Sequence, residues 1–517
     1  MTPARFGLGT MNRSQNRHGI RPGVRRGFTP RTPSIHEAAF GLLERHPALS
    51  AGRGVGAHPA IVLGPGTFML GWLVITPQLV LSVGLVVLSL YVLATTALRL
   101  TAALAPDYAS AQRPLCPDDL PAMTVIVAMY NEAKVLPGLH ASLQRLDYPR
   151  DRLQIIFALE ASDTETIAAA RGVARRGGVE VLVLPQCGPR TKPRALNAAL
   201  QIATGELVAV YDAEDAPHPA QLRHAAEAFA ANPCLGVVQA PLNWYNANEN
   251  WLTGQFALEY AAQFEALLPL MARLGWPLPL GGTSNVFTRE ALEECGGWDP
   301  FNVTEDADLG FRLARFGWQA GVIKTGTREE APITARAWTA QRSRWLKGHL
   351  ISWLVQMRDP RGLIDASGLA GFMGLHLTLL ANALSAGLHA PGLVLWIIGL
   401  IAVLTGQAGP VCYAALLTGL AAYLAAMACA ATGAQRAGVQ AAPGTLITMP
   451  LYWLLQLPAL LRALRELVHR PYLWAKTRHG VSTARRVAPD DPAPHPDRHG
   501  RMRGNCGAGS LASKPTG

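Results

Sequence analysis

Long apolar runs occur in two groups, one near the start of the chain and one towards its end. Most of these runs approach the length of about 20 residues that a helix needs to cross a bilayer. We therefore predict six transmembrane helices, with five or seven as alternatives, because the fourth run is short and two prolines interrupt the sixth. The runs are residues 60–76, 79–98, 369–388, 392–405, 411–431 and 446–461.

The region 118–336 has a different pattern, in which short β-prone runs alternate with helical periodicity. The β-prone runs read MTVIVAMYN, LQIIFALE, VEVLVLP, ELVAVYDAED and GVVQAPL. Helical patterns at 135–146, 164–176 and 221–231 separate them. Alternation of this kind predicts an α/β fold with a mainly parallel, Rossmann-like sheet covered by helices.

Polar and acidic side chains follow three of these predicted strands. Tyr130 and Glu132 follow the first, Glu160 and Asp163 the second, and Asp212 the fourth. In open parallel sheets, ligands bind at the carboxyl ends of the strands. The sequence therefore predicts one binding crevice at this edge of the sheet.

The acids Asp212, Glu214 and Asp215 lie within four positions, and no Lys or Arg is close by in sequence. Carboxylates crowded in this way repel one another unless they share a cation. A hard divalent ion, Mg²⁺ or Mn²⁺, meets that need and keeps positions for phosphate oxygens. A solvated acidic turn explains the same residues, and both interpretations stay open.

The segment TED, residues 304–306, comes just before an amphipathic helical pattern. Thr304 fits a helix cap, and acids are favourable in the first turn of a helix. Capping does not exclude catalysis, because a carboxylate fixed at a helix start can take a proton from a hydroxyl.

The segment WTAQRSRWLKGHLISWL, residues 338–354, places three tryptophans seven and eight positions apart on one helical face. This pattern is typical of an amphipathic interfacial helix with an aromatic belt. Within it, Arg344 is suited to hold a diphosphate, because a guanidinium contacts two oxygens at once, and Trp345 to stack on a sugar.

The segment GPRTKPRALNAAL, residues 188–200, places Lys192 and Arg194 at the start of a predicted helix. Basic groups together with free backbone N–H groups favour an anion there. A basic surface loop has the same appearance, so this signal is weak.

Positive charge is concentrated at the two ends of the chain. Residues 5–53 contain nine Arg and two acids, and residues 462–486 contain seven Lys or Arg and one acid. Without zinc-finger spacing or an RNA-binding motif, this distribution indicates charge retained beside a membrane, not nucleic-acid binding. With six spans, the positive-inside rule predicts that both tails and the central domain are cytoplasmic, in a multi-pass protein of the inner (plasma) membrane. The seven cysteines are scattered and are interpreted as reduced thiols.

Four motifs in one order carry a resemblance to a known family: YNE (130–132), DAED (212–215), TED (304–306) and QRSRW (341–345). With the flanking apolar runs, they make the chain similar to the membrane-embedded family-2 glycosyltransferases of the cellulose, hyaluronan and curdlan synthase type. The segment GGTSNVF (281–287) also looks like the acceptor-side segment of that family. The resemblance implies a GT-A-like nucleotide-sugar domain inserted between groups of transmembrane helices.

The resemblance also implies a role for each motif residue. Asp306 is the expected catalytic base of a single inverting displacement, and Mg²⁺ or Mn²⁺ the expected metal. Asp212 and Glu214 are the expected metal ligands, with Asp215 as an alternative because DAED departs from the usual D-x-D. The donor site is expected to comprise Tyr130, Glu132, Glu160, Lys192 and Asp212. The acceptor and pyrophosphate are expected to contact Glu305, Gln341, Arg342, Arg344 and Trp345.

Two enzyme hypotheses follow. The first is a processive synthase that extends a β-linked exopolysaccharide from a UDP-sugar and passes it through the membrane, with accessory export proteins as partners. The alternative is transfer of one sugar to a membrane lipid. UDP-glucose is favoured over UDP-N-acetylglucosamine, and no nucleic acid is expected as a partner.

The expected organisation has six parts. It comprises a disordered basic tail (1–58), two spans (59–99), the GT-A domain (118–336), an interfacial helix (337–360), about four spans (366–465) and a basic, partly disordered tail (466–517).

Overall fold

The computed structural model describes residues 32–54, 76–440, 442–473 and 482. In chain order, the helices are α1 (Ile35–Arg45), α2 (Pro77–Leu104), α3 (Leu136–Gln144), α4 (Thr164–Ala174), α5 (Lys192–Ile202), α6 (Gln221–Ala231), α7 (Trp251–Ala262), α8 (Leu268–Arg273), α9 (Arg289–Glu294), α10 (Glu305–Arg315), α11 (Ala335–Gln356), α12 (Pro360–Leu375), α13 (Ala381–Leu404), α14 (Pro410–Ala437), α15 (Pro443–Ile447), α16 (Met449–Trp453) and α17 (Gln456–His469). The strands are β1 (Met123–Met129), β2 (Leu153–Glu160), β3 (Glu180–Leu184), β4 (Leu207–Tyr211), β5 (Ala216–Pro217), β6 (Leu235–Gln239), β7 (Leu242–Trp244), β8 (Asn285–Thr288), β9 (Gln319–Val322) and β10 (Thr327–Glu329).

A seven-stranded sheet in the order β3-β2-β1-β4-β8-β6-β9 forms the centre of the domain. Its strand pairs are parallel except for those of β8, which runs antiparallel to both β4 and β6. The prediction of a mainly parallel α/β sheet is confirmed, and every β-prone run found in the sequence overlaps one of its strands. A separate sheet of order β5-β10-β7 lies beside it.

The sheet is buried on both faces, which explains why its central strands read as continuous apolar runs. On β1, Val125 and Val127 point into one apolar cluster, whereas Ile126 points into the other. Helices of the alternating pattern cover both faces, so the strand ends are left as the open edge of the sheet.

The expectation of a disordered tail over 1–58 is wrong where the structure describes that segment. Helix α1 begins after Ser34, whose hydroxyl accepts a hydrogen bond from the Glu37 backbone N–H at 3.2 Å. Its Ala38 and Leu42 are buried. Residues 1–31 and 55–58 lie outside the described part.

Three described helical segments are long and apolar enough to cross a membrane: Val86–Leu104, Pro360–Leu404 and Pro410–Ala437. The first expected span, residues 60–76, lies outside the described part except for its last residue, and the second is contained in α2. The expected break near 392 is wrong, because the helix continues through Pro391 and Gly392.

The last expected span, residues 446–461, is also different in the structure. It is divided among the short helices α15 and α16 and the start of α17. Pro450 and Pro458 account for the interruptions, because a proline cannot continue the hydrogen bonding of a preceding turn. Of the basic tail expected over 466–517, residues 474–481 and 483–517 lie outside the described part.

Helix α11 is not the surface helix that its tryptophan spacing predicts. No side chain from 337 to 356 is exposed, and buried residues occur around the whole helix. Lys347 is fully buried and donates to Glu466 of α17 at 3.1 Å and to the Leu473 carbonyl at 2.8 Å. The pattern misleads because α17 and the neighbouring helices cover the face expected to contact water.

The three segments that are long and apolar enough to cross a membrane are called the candidate spans below. One of them packs closely, backbone to backbone, against the α/β domain. A Cβ atom at Gly433 of α14 would lie 2.2 Å from the carbonyl oxygen of Ala261 in α7. Arg436, one turn further, donates to the carbonyls of Glu265 at 2.9 Å and Ala105 at 2.5 Å. Glycine at 433 is therefore required for the two helices to approach this closely.

We predict that Gly433→Ala destabilises the protein by about 1–3 kcal/mol, because the helices must separate to admit the methyl group. The measurement is thermal unfolding of the purified protein in detergent. Gly392→Ala is the matched control, since nothing lies within 4 Å of the position its Cβ would take. Equal melting temperatures for the two variants would show that this contact does not hold the helices together.

Candidate active site

The strand register brings the polar strand ends together. Met129 of β1 pairs with Leu159 of β2, so Tyr130 and Glu160 are level. Val127 of β1 pairs with Tyr211 of β4, and Asp212 therefore follows at the same edge. One crevice thus contains the ends of three adjacent strands, as the sequence predicts.

Two turns at this edge have unusual backbone conformations. Asn131 and Ser284 are the non-glycine residues with positive φ in the described part, at 55° and 57°. The Asn131 N–H donates to the Asp163 carboxylate at 2.5 Å, and the Ser284 N–H donates to the Val210 carbonyl at 2.8 Å. Such conformations persist where surrounding contacts determine them, and they are common at ligand sites.

Lys192, at the start of α5, is a cation that lies between the acids of the crevice. Its ammonium donates to the carboxylate of Asp212 and, at 2.7 Å, to the carbonyl of Gly282. Burial acts to lower the pKa of Lys192, but Asp212, Glu305 and Asp306 together raise it. Lys192 therefore stays charged and lies between the two acidic segments.

Asp215 turns away from the crevice and holds the loop. Its carboxylate accepts from the Asp212 N–H at 2.8 Å and from the hydroxyl of Thr283. Burial, followed by the charges of Asp212 and Glu214, raises its pKa well above the ordinary range. Glu214 lines the cavity, whereas Asp215 does not. Of the two alternatives for a second metal ligand, the geometry therefore favours Glu214.

Asp212, Glu214 and Asp215 form an acidic cluster, and Glu329, which was not selected from the sequence, extends it. It is brought in by β10, whose Glu329 pairs with Trp244 of β7. Burial and then Asp215, Glu214 and Asp212 raise the pKa of Glu329 well above its ordinary value. Its only signal in the sequence is the pair of acids in TREEAP, residues 327–332. Because β10 has only three residues and lies far from Asp212 in sequence, its pairing could not be predicted.

The acidic cluster does not form a closed metal cage. Within the described ranges, no three His, Cys, Asp or Glu side chains converge closely enough to hold an ion by themselves. Asp212 and Glu214 both line the cavity, and one oxygen of Asp212 is already bonded to Lys192. This donor set fits a hard cation that takes its remaining ligands from phosphate oxygens.

A buried ion pair fixes the end of the crevice at β2. Arg194 donates to both oxygens of Glu160, at 2.6 and 2.5 Å, and neither side chain is exposed. The Glu132 N–H donates to the hydroxyl of Thr166 at 3.0 Å. Tyr130 is 39% exposed, so its ring is accessible to a ligand.

Asp306 lies opposite the acidic cluster, in the first turn of α10. The Ala307 N–H donates to its Oδ1 at 2.8 Å, and a Cβ atom at Gly282 would lie 3.0 Å from its Oδ2. Burial raises the pKa of Asp306, while Lys192 and Arg344 act to lower it. Burial and the charge of Asp306 raise the pKa of its neighbour Glu305 to about 7.

The motif residues of α11 have different surroundings. Gln341, Arg344 and Trp345 line the same cavity as Asp306, and Arg344 donates weakly to the Val303 carbonyl at 3.4 Å. Arg342 also lines the cavity, but its guanidinium bonds both oxygens of Glu259, at 2.5 and 2.7 Å.

The guanidinium of Arg342 is also surrounded by aromatic rings. It lies 4.9 Å from the ring centre of Trp345, 5.0 Å from Trp338 and 5.3 Å from Phe256. Arg342 is therefore placed to position Trp345, and its expected contact with the acceptor or pyrophosphate stays a prediction.

The crevice is one cavity of about 520 Å³. Its lining includes every residue assigned to the site from the sequence except Asp215. Its lining also includes residues of the candidate spans, namely Thr95, Leu98, Arg99, Leu377, Thr378, Ala381 and Asn382.

Residues 121–348 match the family model described as "Glycosyltransferase like family 2". This segment is a glycosyltransferase family 2 domain, and the predicted GT-A-like fold is confirmed for it. The match ends three residues after Trp345, so it includes all the site residues assigned from the sequence.

Curated relatives resemble the same part of the chain. A beta-monoglucosyldiacylglycerol synthase of Trichormus variabilis is 30% identical over 252 residues, which is 47% of this chain and 53% of the relative. A probable glucomannan 4-beta-mannosyltransferase of Arabidopsis thaliana is 28% identical over 295 residues, 53% of this chain and 52% of the relative. The chain thus spans about half the length of the curated relatives it matches.

Among solved structures, the mannosyltransferase PcManGT of Pyrobaculum calidifontis, in complex with GDP-Man and Mn²⁺, is similar to this chain. The identity is 23% and the TM-score 0.46, over 74% of this chain and 99% of that one.

The raised pKa of Glu305 predicts a dependence of stability on pH. Between pH 4.5 and pH 7 the folded protein keeps a proton that the unfolded chain has released, so the free energy of unfolding falls as pH rises through this window. We predict that Glu305→Gln reduces this fall, measured as melting temperature against pH.

The matched control for that measurement is Glu290→Gln, because Glu290 is exposed. It is expected to follow the wild-type curve. If the Glu305 and Glu290 variants give the same curve, another group is responsible for the pH dependence.

Proposed function

We propose that the chain is an inverting glycosyltransferase that transfers one sugar from a nucleotide-diphosphate sugar to a hydroxyl group of a membrane lipid. The observation that carries this proposal is that one cavity is lined both by Asp212, Glu214 and Asp306 and by residues of the candidate spans. A donor that enters from water and an acceptor that enters from the bilayer can meet in such a space.

The relatives support this acceptor over the polysaccharide synthase that the sequence analysis preferred. The match to beta-monoglucosyldiacylglycerol synthases, at 30% identity, is to proteins named for adding a single glucose to diacylglycerol. The same name favours a glucose donor, and we propose UDP-glucose. The family resemblance and the Arg-rich tails support a cytoplasmic catalytic domain in an inner-membrane protein.

The donor's place follows from the charges in the crevice. Tyr130 is accessible for contact with the base, with Glu160 held beside it by Arg194. Lys192, together with Arg344 across the cavity, neutralises the diphosphate. Asp212 and Glu214 would hold Mg²⁺ or Mn²⁺, which, when bound, stabilises the negative charge that develops on the leaving diphosphate.

The chemistry is a single displacement at the anomeric carbon. Asp306 accepts the proton of the lipid hydroxyl as its oxygen bonds to that carbon, and the bond to the diphosphate oxygen breaks on the opposite face. Burial raises the pKa of Asp306, which makes its carboxylate a better base than an exposed aspartate. Gln341 and Trp345 border the acceptor. Glu305 and Arg344 lie beside the catalytic carboxylate of Asp306.

A polysaccharide synthase is the second candidate. The QRSRW motif and the 28% identity to a probable glucomannan mannosyltransferase support it. Under this hypothesis the acceptor is a growing β-linked glycan, and export proteins become relevant partners.

We predict that membranes containing the protein convert radiolabelled UDP-glucose and Mn²⁺ into a product that extracts into organic solvent. Asp306→Asn should lower this conversion by about 10²–10⁴-fold, because the base is lost, while UDP binding is retained. The measurement combines thin-layer chromatography of the lipid extract with a count of the insoluble polymer.

Asp151→Asn is the matched control, since Asp151 is exposed in the turn before β2 and does not line the cavity. It should retain wild-type conversion. Label found only in high-molecular-weight polymer would establish the second candidate in place of the first, and near-normal turnover by Asp306→Asn would overturn the base assignment.

A further inference from the structure

Arg99 is a charged residue within a segment that is apolar enough to cross a membrane. It belongs to Val86–Leu104 of α2, and its side chain lines the cavity that also contains Asp306. Ionisable side chains within such segments are costly and are retained where they have a functional partner. The proposed displacement reaction gives Arg99 no part.

The partner of Arg99 is not found in the described part of the chain. No hydrogen bond or ion pair of its guanidinium is formed with a residue of those ranges. The carboxylate with an electrostatic effect on it, Glu259, is already bonded to Arg342 and to the hydroxyl of Tyr452 at 2.5 Å. Arg99 therefore has donors left for a ligand.

The position of Arg99 along α2 matches the depth of a lipid head group. It lies five residues before Leu104, the last residue of the candidate span, which is about 7.5 Å at the rise of an α-helix. Ser110, six residues after this helix end, bonds to Val322 of β9, so this is the end of α2 nearer the α/β domain. Earlier residues of α2, such as Val87 and Leu90, are about 60% exposed and form an apolar outer face.

The neighbouring lining is suited to the boundary between acyl chains and head group. Apolar Leu98, Leu267 and Leu377 lie there together with the polar groups of Thr378 and Asn382. The two π-helical turns of the described chain, Gln263–Leu267 and His376–Leu380, both contribute residues to the lining of the cavity. Such turns are rare and occur frequently at functional sites.

We propose that Arg99 binds the head of the lipid acceptor and is the residue that selects a lipid with oxygen atoms at the head-group boundary. The ligand chemistry is an ester carbonyl or a phosphate oxygen, because a guanidinium offers a planar pair of donors to such oxygens. The acyl chains then extend along the apolar face of α2, and the hydroxyl to be glycosylated points towards Asp306. This inference rests on the proposed function, since it names the acceptor class of the same site.

The test is acceptor kinetics in mixed micelles with wild-type protein, Arg99→Gln and Arg99→Lys. The acceptors are a diacylglycerol, its ether-linked dialkylglycerol analogue and a dialkyl phosphatidylglycerol, which carries a phosphate and free hydroxyl groups but no ester carbonyl. Arg99→Gln should raise the KM for the preferred acceptor about tenfold or more, as expected for loss of charge-assisted hydrogen bonds, and leave the KM for UDP-glucose within about twofold. Arg99→Lys, which keeps the charge without the planar donors, should lie between.

The three acceptors identify the oxygen that is bound. If ester carbonyls are the ligand, the dialkylglycerol already has a raised KM with wild-type protein, and Arg99→Gln adds little to it. If phosphate is the ligand, the dialkyl phosphatidylglycerol shows the larger rise in KM with Arg99→Gln. Both results support the inference.

Arg273→Gln is the matched control, because Arg273 is exposed at the end of α8 and does not line the cavity. If Arg99→Gln and Arg273→Gln have the same KM for all three acceptors, or if Arg99→Gln lowers only kcat, the inference is overturned while the proposed function stands. If Arg99→Gln does not accumulate in the membrane, Arg99→Lys decides the test. A KM for the acceptors equal to that of wild-type protein then overturns the inference about Arg99. If wild-type protein glycosylates no lipid, the proposed function fails and the inference fails with it.

Discussion

Like charges held close together at the carboxyl end of β4 determine the arrangement of the rest of the site. Asp212, Glu214 and Asp215 are joined there by Glu329 from the small sheet, and burial leaves little water to screen them. Crowded carboxylates are stable only if some bind protons or share cations. Asp215 and Glu329 have raised pKa values, while Asp212 is paired with Lys192.

The fold places this cluster near a second pair of acids, Glu305 and Asp306, with Lys192 between them. β8 runs antiparallel to β4, and this direction carries Gly282 and Thr283 to the edge beside Asp212. The missing side chain at Gly282 leaves room for Asp306. Lys192 therefore interacts with acids on both sides, and a diphosphate with its cation would find complementary charge in the same space.

Much of this could be predicted from the sequence, because the strands are long and apolar and the acids follow them directly. The sequence could not show that the Asp215 side chain turns away from the crevice, because its orientation depends on a hydrogen bond from Thr283, which is distant in sequence. Glu329 and the pairing of Arg342 with Glu259 were missed for the same reason. In α1, by contrast, a local signal was present: Ser34 three residues before Glu37, followed by spaced apolar residues, is a helix start within a tail that composition alone describes as disordered.

The proposed reaction requires that the acidic cluster bind a divalent cation together with the diphosphate of the donor. Calorimetric titration of the purified protein with UDP, in Mn²⁺ and in a chelator, measures this coupling. We expect UDP to bind about tenfold or more tightly with Mn²⁺, and Asp212→Ala to remove this difference. Equal affinity for UDP with and without the metal in the wild-type protein would contradict it.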